Sequence, residues 1–563
     1  MNETLAYTAA ALAAAAATWP LARRRLELSL AKHPSLAGHS RLAKRVAALV
    51  PGYAYDEERF FDSDGAPADV VARRREGFFR LAGQLASRHP ASVALTQQAR
   101  EHISDLQFTG AYRVPYQYSA FLRQHIAVGA FVQGSEGVRL VDLDGRRFFD
   151  LTGSYGVNVF GHDFYKSCIA EGSARAAALG PVLGSYHPAV AWNAEQLCRL
   201  SGLDEVSFHM SGTEAVMQAV RLARYHTRRK YLVRFSGAYH GWWEDVQPGP
   251  GNPLPPGRTY TLKEMDDDTL RVLKRRKDIA CVLVNPLQAL HPNRNAPGDS
   301  TLVDSSRRAR FDRAAYTEWL HRLRLVCSER GIVLIFDEVF LGFRLALGGA
   351  QEYFGVRADM VTYGKTLGGG LPVGVVCGKR ELMKRFREDR PADLCFARGT
   401  FNSHPYVMGA MQVFLERLHS ATVQALYAGL DATWDARAEQ LNQALQQAGV
   451  PVRVAHGSRS FHPGWLADIA AIGKGGNDRY FYGLHLLLSV SASGLTTGWT
   501  LAAGNIQDRW LAELLLPGAT PISRFVFAGA SINGEAVRKA KSSMSNTSLS
   551  QTSTTAAAAS DEL

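Results

Sequence analysis

Six cysteines are spread over 563 residues, with no CxxC pair and no two histidines at ligand spacing. Neither a zinc site nor a disulfide framework is signalled, so no metal and a reducing, cytoplasmic setting are expected. No internal repeat is found. Lysine and arginine outnumber the acids 64 to 52, for a formal charge of +12. The basic runs Arg23–Arg25, Arg73–Arg75 and Lys274–Lys277 nevertheless lack the interleaved stacking aromatics of a nucleic-acid binder. They read as solvated helix faces, and nucleic acid is not an expected partner. Residues 5–22 carry no charge and are mostly alanine, with Pro20 near the end and Arg23, Arg24 and Arg25 beyond it. No basic residue precedes this run, which argues against a secretory signal. Its 18 residues barely suffice to span a bilayer, so an alanine-rich helix that packs or frays is expected over one that contacts a membrane. Ser542–Leu563 has almost no large apolar group and is expected to be a disordered tail. Its ending, Ser560-Asp561-Glu562-Leu563, is like a retrieval signal, which without a signal peptide is read as coincidence.

What is present describes an ordinary globular chain. Hydrophobic residues make up 46% and charged residues 21%, which leaves ample material for a large core and excludes global disorder. Helix-like stretches broken by Gly, Pro and Asp run from Pro34 to about Gln124, as in amphipathic Val70–Ser87. Gly137–Asp150 reads as two strands joined at Asp144-Gly145, where glycine permits a positive φ. Short β-rich runs then alternate with helix-length segments: Val206–Met210, Tyr231–Phe235, Ala280–Val284, Ile332–Phe336 and Met360–Tyr363. Alternation of that kind predicts an α/β fold, a mostly parallel sheet covered by helices. Helix-like Asp431–Ala448 and strand-like Ile522–Phe527 suit a smaller α+β domain. The expected organisation is an apolar leader (1–30), a helical lead-in (31–125) and an N-terminal part of the small domain with the hairpin (126–190). A large domain (191–415), a C-terminal small domain (416–540) and the tail (541–563) follow.

Ligands of such sheets gather at the carboxyl ends of the strands, and four of those ends carry unusual chemistry. After Met210 come Ser211-Gly212-Thr213-Glu214-Ala215 and a helical period. Small hydroxyl residues and free N–H groups at a helix start suit a phosphate, although Ser-Gly-Thr is equally an ordinary cap. After Phe235 come Tyr239-His240-Gly241-Trp242-Trp243, where an aromatic can stack on a flat cofactor or simply join the core. Ile332–Phe336 is apolar throughout and ends in Asp337-Glu338. A carboxylate there needs a cationic partner such as a protonated ring nitrogen or an arginine. Lys365 follows a short strand and precedes the glycines Gly368, Gly369 and Gly370. A P-loop would need glycine where Asp359 stands, so nucleotide binding is disfavoured. An amine in partial burial near positive charge suits a Schiff base with a carbonyl cofactor. Lysine, upstream aspartate and phosphate turn together point to pyridoxal phosphate.

In order and spacing, Ser211-Gly212-Thr213-Glu214-Ala215, Tyr239-His240-Gly241, Phe336-Asp337-Glu338-Val339, Gly342-Phe343-Arg344 and Gly364-Lys365 resemble the class III pyridoxal-phosphate aminotransferases. The glutamate-1-semialdehyde aminomutase-like branch is the nearest, and the resemblance spans about Gly134 to Arg417. It implies a fold-type-I homodimer with pyridoxal 5'-phosphate on Lys365, Asp337 on the pyridinium nitrogen, and Tyr239 and Val339 on the two ring faces. His240 belongs to the same cofactor-binding set. Ser211, Gly212 and Thr213 would hold the phosphate, and Thr400 would be lent across the dimer. The implied activity moves an amino group from a small-molecule donor to a keto or aldehyde acceptor. An aminomutase is the near alternative, and a catalytically idle scaffold of the same fold the more distant one. The chain departs from the family at Asn285-Pro286-Leu287-Gln288, where relatives often have Glu-Pro, and at Phe340, where many have glutamine. With Trp242 and Trp243, Phe340 suggests an apolar acceptor, long-chain or carrier-linked, in place of a small dicarboxylate.

Overall fold

The computed structural model describes residues 2–32, 49, 51–112, 116–235, 238–246, 257–286, 313–447, 485–490, 496–502 and 525–528. Leu287, Gln288 and Ser542–Leu563 lie outside them, as do Gly237, Ala448 and Ile522–Arg524.

Three short strands, β1 (Val132–Glu136), β2 (Arg139–Asp142) and β3 (Arg147–Phe149), form an antiparallel meander. The expected hairpin is β2–β3, turning through Gly145 at φ +73°. Strand β1 was not foreseen. Helices Ala68–Arg88 and Pro90–Arg100 lead into this meander, and His89, between them, meets Asp142 at 2.5 Å (Nδ1 to Oδ2). The other Asp142 oxygen accepts the N–H groups of Asp144 and Arg146, and Asp144 accepts those of Ala91 and Ser92. The buried Asp142 and the partly buried Asp144, satisfied in this way, pin the lead-in to the hairpin.

The principal sheet has seven strands: β4 (Glu205–His209), β5 (Tyr231–Phe235), β6 (Thr259–Leu262), β7 (Ile279–Val284), β8 (Val333–Asp337), β9 (Met360–Gly364) and β10 (Gly374–Gly378). Their order is β4-β10-β9-β8-β7-β5-β6. Pairing is parallel from β6 through β9, and β10 runs antiparallel to both β4 and β9. The sheet is therefore mostly parallel, as the alternation of runs and helices predicts. Strands β7 to β10 are buried at every position, which is why β7 and most of β8 read as apolar runs. Strands β6 and β10 were not read from the sequence: one is four alternating residues and the other is flanked by glycines.

Helices cover both faces. Gly212–Thr227 lays Ala215, Val216, Ala219, Val220, Leu222 and Ala223 on one side. Arg313–Arg330 and Pro405–Leu418 supply the opposite core through Trp319, Leu320, Leu323, Met411 and Phe414. Helix His162–Ala176 crosses Pro405–Leu418 so closely that a Cβ on Gly172 would sit 2.3 Å from the amide nitrogen of Ala410. A further antiparallel sheet, β12-β11-β13, consists of β11 (His485–Val490), β12 (Thr496–Ala502) and β13 (Phe525–Ala528).

The alanine-rich run lies in helix Asn2–Leu30, with Pro20 inside it. Its far end docks: Glu27 pairs with Arg275, and Lys263 N–H donates to Ala31 at 2.9 Å. Among the described residues no helix is long and apolar enough to cross a membrane. Arg73, Arg74 and Arg75 each face an acid, Asp69, Asp64 and Glu57.

Candidate active site

Parallel pairing of β8 with β9 puts Asp337 opposite Thr362, so the two carboxyl ends emerge side by side with Asp337 on one and Lys365 just past the other. Asp337 is buried and fully engaged. Its Oδ2 lies 2.7 Å from His240 Nδ1, and its Oδ1 accepts the Val339 N–H and the Thr362 hydroxyl, each at 3.1 Å. Three hydrogen bonds offset the cost of taking a carboxylate out of water. The imidazole of His240 is the basic side chain that meets this carboxylate. His240 Nε2 is also buried, with no hydrogen-bond partner among the described residues.

Lys365 opens a 3-10 turn, Lys365–Gly368, in the left-handed region at φ +46°. Burial first, and then the Arg344 guanidinium, depress its pKa below the usual lysine value, while Asp337 pulls the other way. Among the described residues the amine makes no hydrogen bond or ion pair. It lies 5.4 Å from the centroid of the Phe340 ring, and Arg344 Cζ is 4.4 Å from the same centroid. Arg344, itself buried, donates to the carbonyls of Phe340 and Gly156. Gly156 has φ +92°, and a Cβ there would come 2.6 Å from the Phe340 ring.

Glycines let the remaining segments converge. A Cβ on Gly212 would stand 2.4 Å from Val339 Cγ1, and one on Gly364 would stand 3.0 Å from the same methyl. Gly241, at φ +92°, lies against Thr213, whose Oγ1 would be 2.5 Å from an added Cβ. Ser211 is the N-cap of helix Gly212–Thr227: its Oγ accepts Glu214 N–H at 3.2 Å while Glu214 Oε2 accepts Met210 N–H at 3.0 Å. This reciprocal cap engages Ser211 and leaves the Gly212 and Thr213 N–H groups at the positive end of the helix.

The structure thus gathers Gly212, Thr213, His240, Asp337, Val339 and Lys365. Tyr239 remains 54% exposed beside them, its pKa raised by partial burial and then by Asp337. Thr400 lies on an exposed turn, with no contact to the cluster among the described residues of one chain. Trp242 is exposed, whereas Trp243 packs with Val339 against the Ala215–Ala223 core. Asn285, just after β7, is buried. Reading the sequence missed Thr362, although its place on β9 opposite Asp337 follows once the two runs are paired in register. Also missed was the Gly156 carbonyl that holds Arg344.

A family model described as aminotransferase class-III matches residues 121–244 and 312–456. A glutamate-1-semialdehyde 2,1-aminomutase of Alkaliphilus oremlandii is 33% identical over 325 residues, 54% of this chain and 71% of that protein. The chain belongs to the class-III aminotransferases. An omega-transaminase from Sphaerobacter thermophilus is 28% identical, with a TM-score of 0.52 over 66% of this chain and 81% of its own. A β-phenylalanine aminotransferase from Variovorax paradoxus shares the fold, with a TM-score of 0.55 at 20% identity over 84% and 96% of the two chains. Class-III aminotransferases are fold-type-I enzymes that use pyridoxal phosphate and act on small molecules, so family, fold type and cofactor are those the motifs imply.

Proposed function

We propose that the protein transfers an amino group from a small-molecule donor to an apolar keto or aldehyde acceptor, long-chain or carrier-linked, with Lys365 and Asp337 as its catalytic residues. The observation that carries this is the convergence of a half-buried amine and a buried, triply hydrogen-bonded carboxylate at adjacent strand ends. These residues fit pyridoxal phosphate. Lys365 offers an amine with a depressed pKa, Asp337 an acceptor for a ring N–H, and Gly212 and Thr213 the N–H groups of a helix start. The cofactor, when bound, supplies an electrophilic carbonyl and a protonated ring that stabilises a carbanion.

The chain's own residues do the rest. Lys365 Nζ would hold the cofactor's aldehyde and, as a free amine, would move a proton from the substrate carbon to the cofactor's carbonyl carbon. Asp337 would keep a proton on the ring nitrogen, and His240 together with Thr362 holds Asp337 in place. Val339 and Tyr239 would flank the ring. Gly212, Thr213 and the Ser211 hydroxyl would hold the phosphate. Phe340, between Arg344 and Lys365, presents an apolar wall to the acceptor in place of a polar one. Thr400, exposed on its own chain, is the residue a homodimer would lend to its partner's phosphate.

Borohydride reduction followed by peptide mass spectrometry tests the proposal: the cofactor's mass belongs on the Lys365 peptide, and the near-visible absorbance band disappears in Lys365→Ala. A colourless protein, unmodified at Lys365 after incubation with the cofactor, would overturn it. The 33% identity to an aminomutase favours a second reading, in which the amine stays on one substrate. A turnover that needs no separate donor and releases no keto acid would decide for that reading.

A further inference from the structure

Left-handed backbone at a non-glycine residue costs roughly 1–3 kcal/mol and persists only where the surroundings impose it. Lys365 sits at φ +46°, and the source of that constraint lies on both sides of it. Before it, extended Gly364 is hemmed in by Val339 and the Val373 carbonyl, but it offers no side chain to cap the turn. After it, Thr366 is buried, and its hydroxyl lies 2.5 Å from the hydroxyl of Tyr165, 201 residues earlier in the chain.

Tyr165 is itself fixed from three directions. Its oxygen accepts the Val159 N–H at 3.0 Å. Its ring lies nearly parallel to Phe414, at 21° and 6.4 Å, and its helix is locked against Pro405–Leu418 at Gly172 and Gly409. Burial pushes its phenol up to about 12, so it keeps its proton through the neutral range. We propose that Tyr165 is a positioning residue for Lys365, holding the strained lysine turn through the Thr366 hydroxyl. This deepens, and rests on, the amine role proposed for Lys365.

The consequence is chemical. Among the described residues, Asp337 at the end of β8, with His240 bonded to it, and Arg344 after β8 are the charged and titratable groups that face the amine, with Tyr239 beside Asp337 and Tyr165 behind the turn. Burial dominates the sum and keeps the amine below its usual pKa. A turn released from Tyr165 admits water to the amine, and desolvation is the contribution that is lost first.

The test uses the full chain without cofactor. Acylation of Lys365 by an amine-selective reagent is followed against pH by peptide mass spectrometry, with exposed Lys384 as the internal reference. In Tyr165→Phe, which keeps the ring, and in Thr366→Val, the midpoint rises by the same amount, so that labelling near neutral pH falls roughly threefold to tenfold. The double variant falls no further, and Thr366→Ser keeps the wild-type profile. Unchanged midpoints in folded variants, or additive shifts in the double variant, overturn the proposal. Should Tyr165→Phe fail to fold, the contrast between Thr366→Val and Thr366→Ser decides alone. Failure of the amine role reads out separately, as a Lys365 that carries no cofactor after borohydride.

Discussion

His240 Nδ1 stands 2.7 Å from Asp337 Oδ2, with both side chains closed off from water. The contact joins the loop after β5 to the end of β8 across 97 residues of sequence. With the Thr362 hydroxyl and the Val339 N–H on its other oxygen, the carboxylate is oriented before any ligand arrives. Preorganisation of this kind is where electrostatic catalysis gets most of its effect.

Asp337→Asn therefore keeps the packing and loses the charge. Turnover is expected to fall roughly 100-fold or more, while borohydride still fixes the cofactor on Lys365. Thr362→Val, which removes one of the three hydrogen bonds but leaves the charge, is expected to cost about 1.5 kcal/mol, or roughly tenfold in rate. Steady-state kinetics on both variants gives the comparison, and equal losses would mean that the charge is not what matters.

A second prediction concerns close approach. An alanine methyl at 212 has to share space with Val339 Cγ1 at 2.4 Å, an overlap that costs about 1–3 kcal/mol when the neighbours cannot yield. Gly212→Ala is expected to lower the thermal midpoint and to weaken cofactor binding, measured by absorbance titration. Val339→Ala in the same chain restores part of the stability, because the clash is with its methyl. At Gly241 no such rescue is expected from Thr213→Ala alone, since φ +92° strains any side chain there.

Strands β7 and β8, and the residues just beyond β4, β5, β8 and β9, were legible because a strand buried on both faces leaves an apolar run that stops abruptly where its chemistry begins. Asp337 and Lys365 announce themselves in this way. Antiparallel β10 did not, because Gly374 and Gly378 bracket only three apolar residues and no local pattern tells such a run from a loop. Nor did the Tyr165–Thr366 and Arg344–Gly156 contacts, which depend on tertiary placement of residues 201 and 188 positions apart. Trp242 and Trp243 are adjacent and alike in sequence, yet one is exposed and the other packs on the core; only the backbone path separates them.

Phe340 carries a third prediction. Its ring is held against Arg344 and faces the Lys365 amine, so in the proposed reaction it would shape the acceptor's side of the site. Phe340→Gln exchanges an apolar wall for a hydrogen-bonding one. The ratio of kcat/KM for an aliphatic aldehyde over a short keto dicarboxylic acid is expected to drop about tenfold, the scale of one hydrophobic contact. A ratio that stays constant while both rates fall would assign Phe340 to packing alone.

Glu338, next to Asp337, gives a dependence of stability on pH. Burial, with a smaller push from Asp337, raises its carboxyl to about 8, against the bonding of its oxygens to the Ala350 and Gln351 N–H groups. Little room exists for it to move, because Gly349 at φ +67° packs directly on its carboxyl. The folded chain therefore holds Glu338 protonated at neutral pH, whereas the unfolded chain ionises it near the ordinary value of 4.5. Its contribution is complete below about pH 4.5, declines as the pH rises, and is gone once the pH passes about 8. Glu264, buried and bonded to the Tyr316 hydroxyl at 2.7 Å, is also raised to about 8 and adds a loss of the same sign. Each group is worth on the order of a few kcal/mol across that window. Glu338→Gln stays neutral at every pH and can still accept the Ala350 N–H. Thermal midpoints measured from pH 5 to 9 are expected to fall less steeply in Glu338→Gln than in the wild type, and less steeply again when Glu264→Gln is added. Parallel curves would place both ionisations outside this range and remove Glu338 as the source of the alkaline loss.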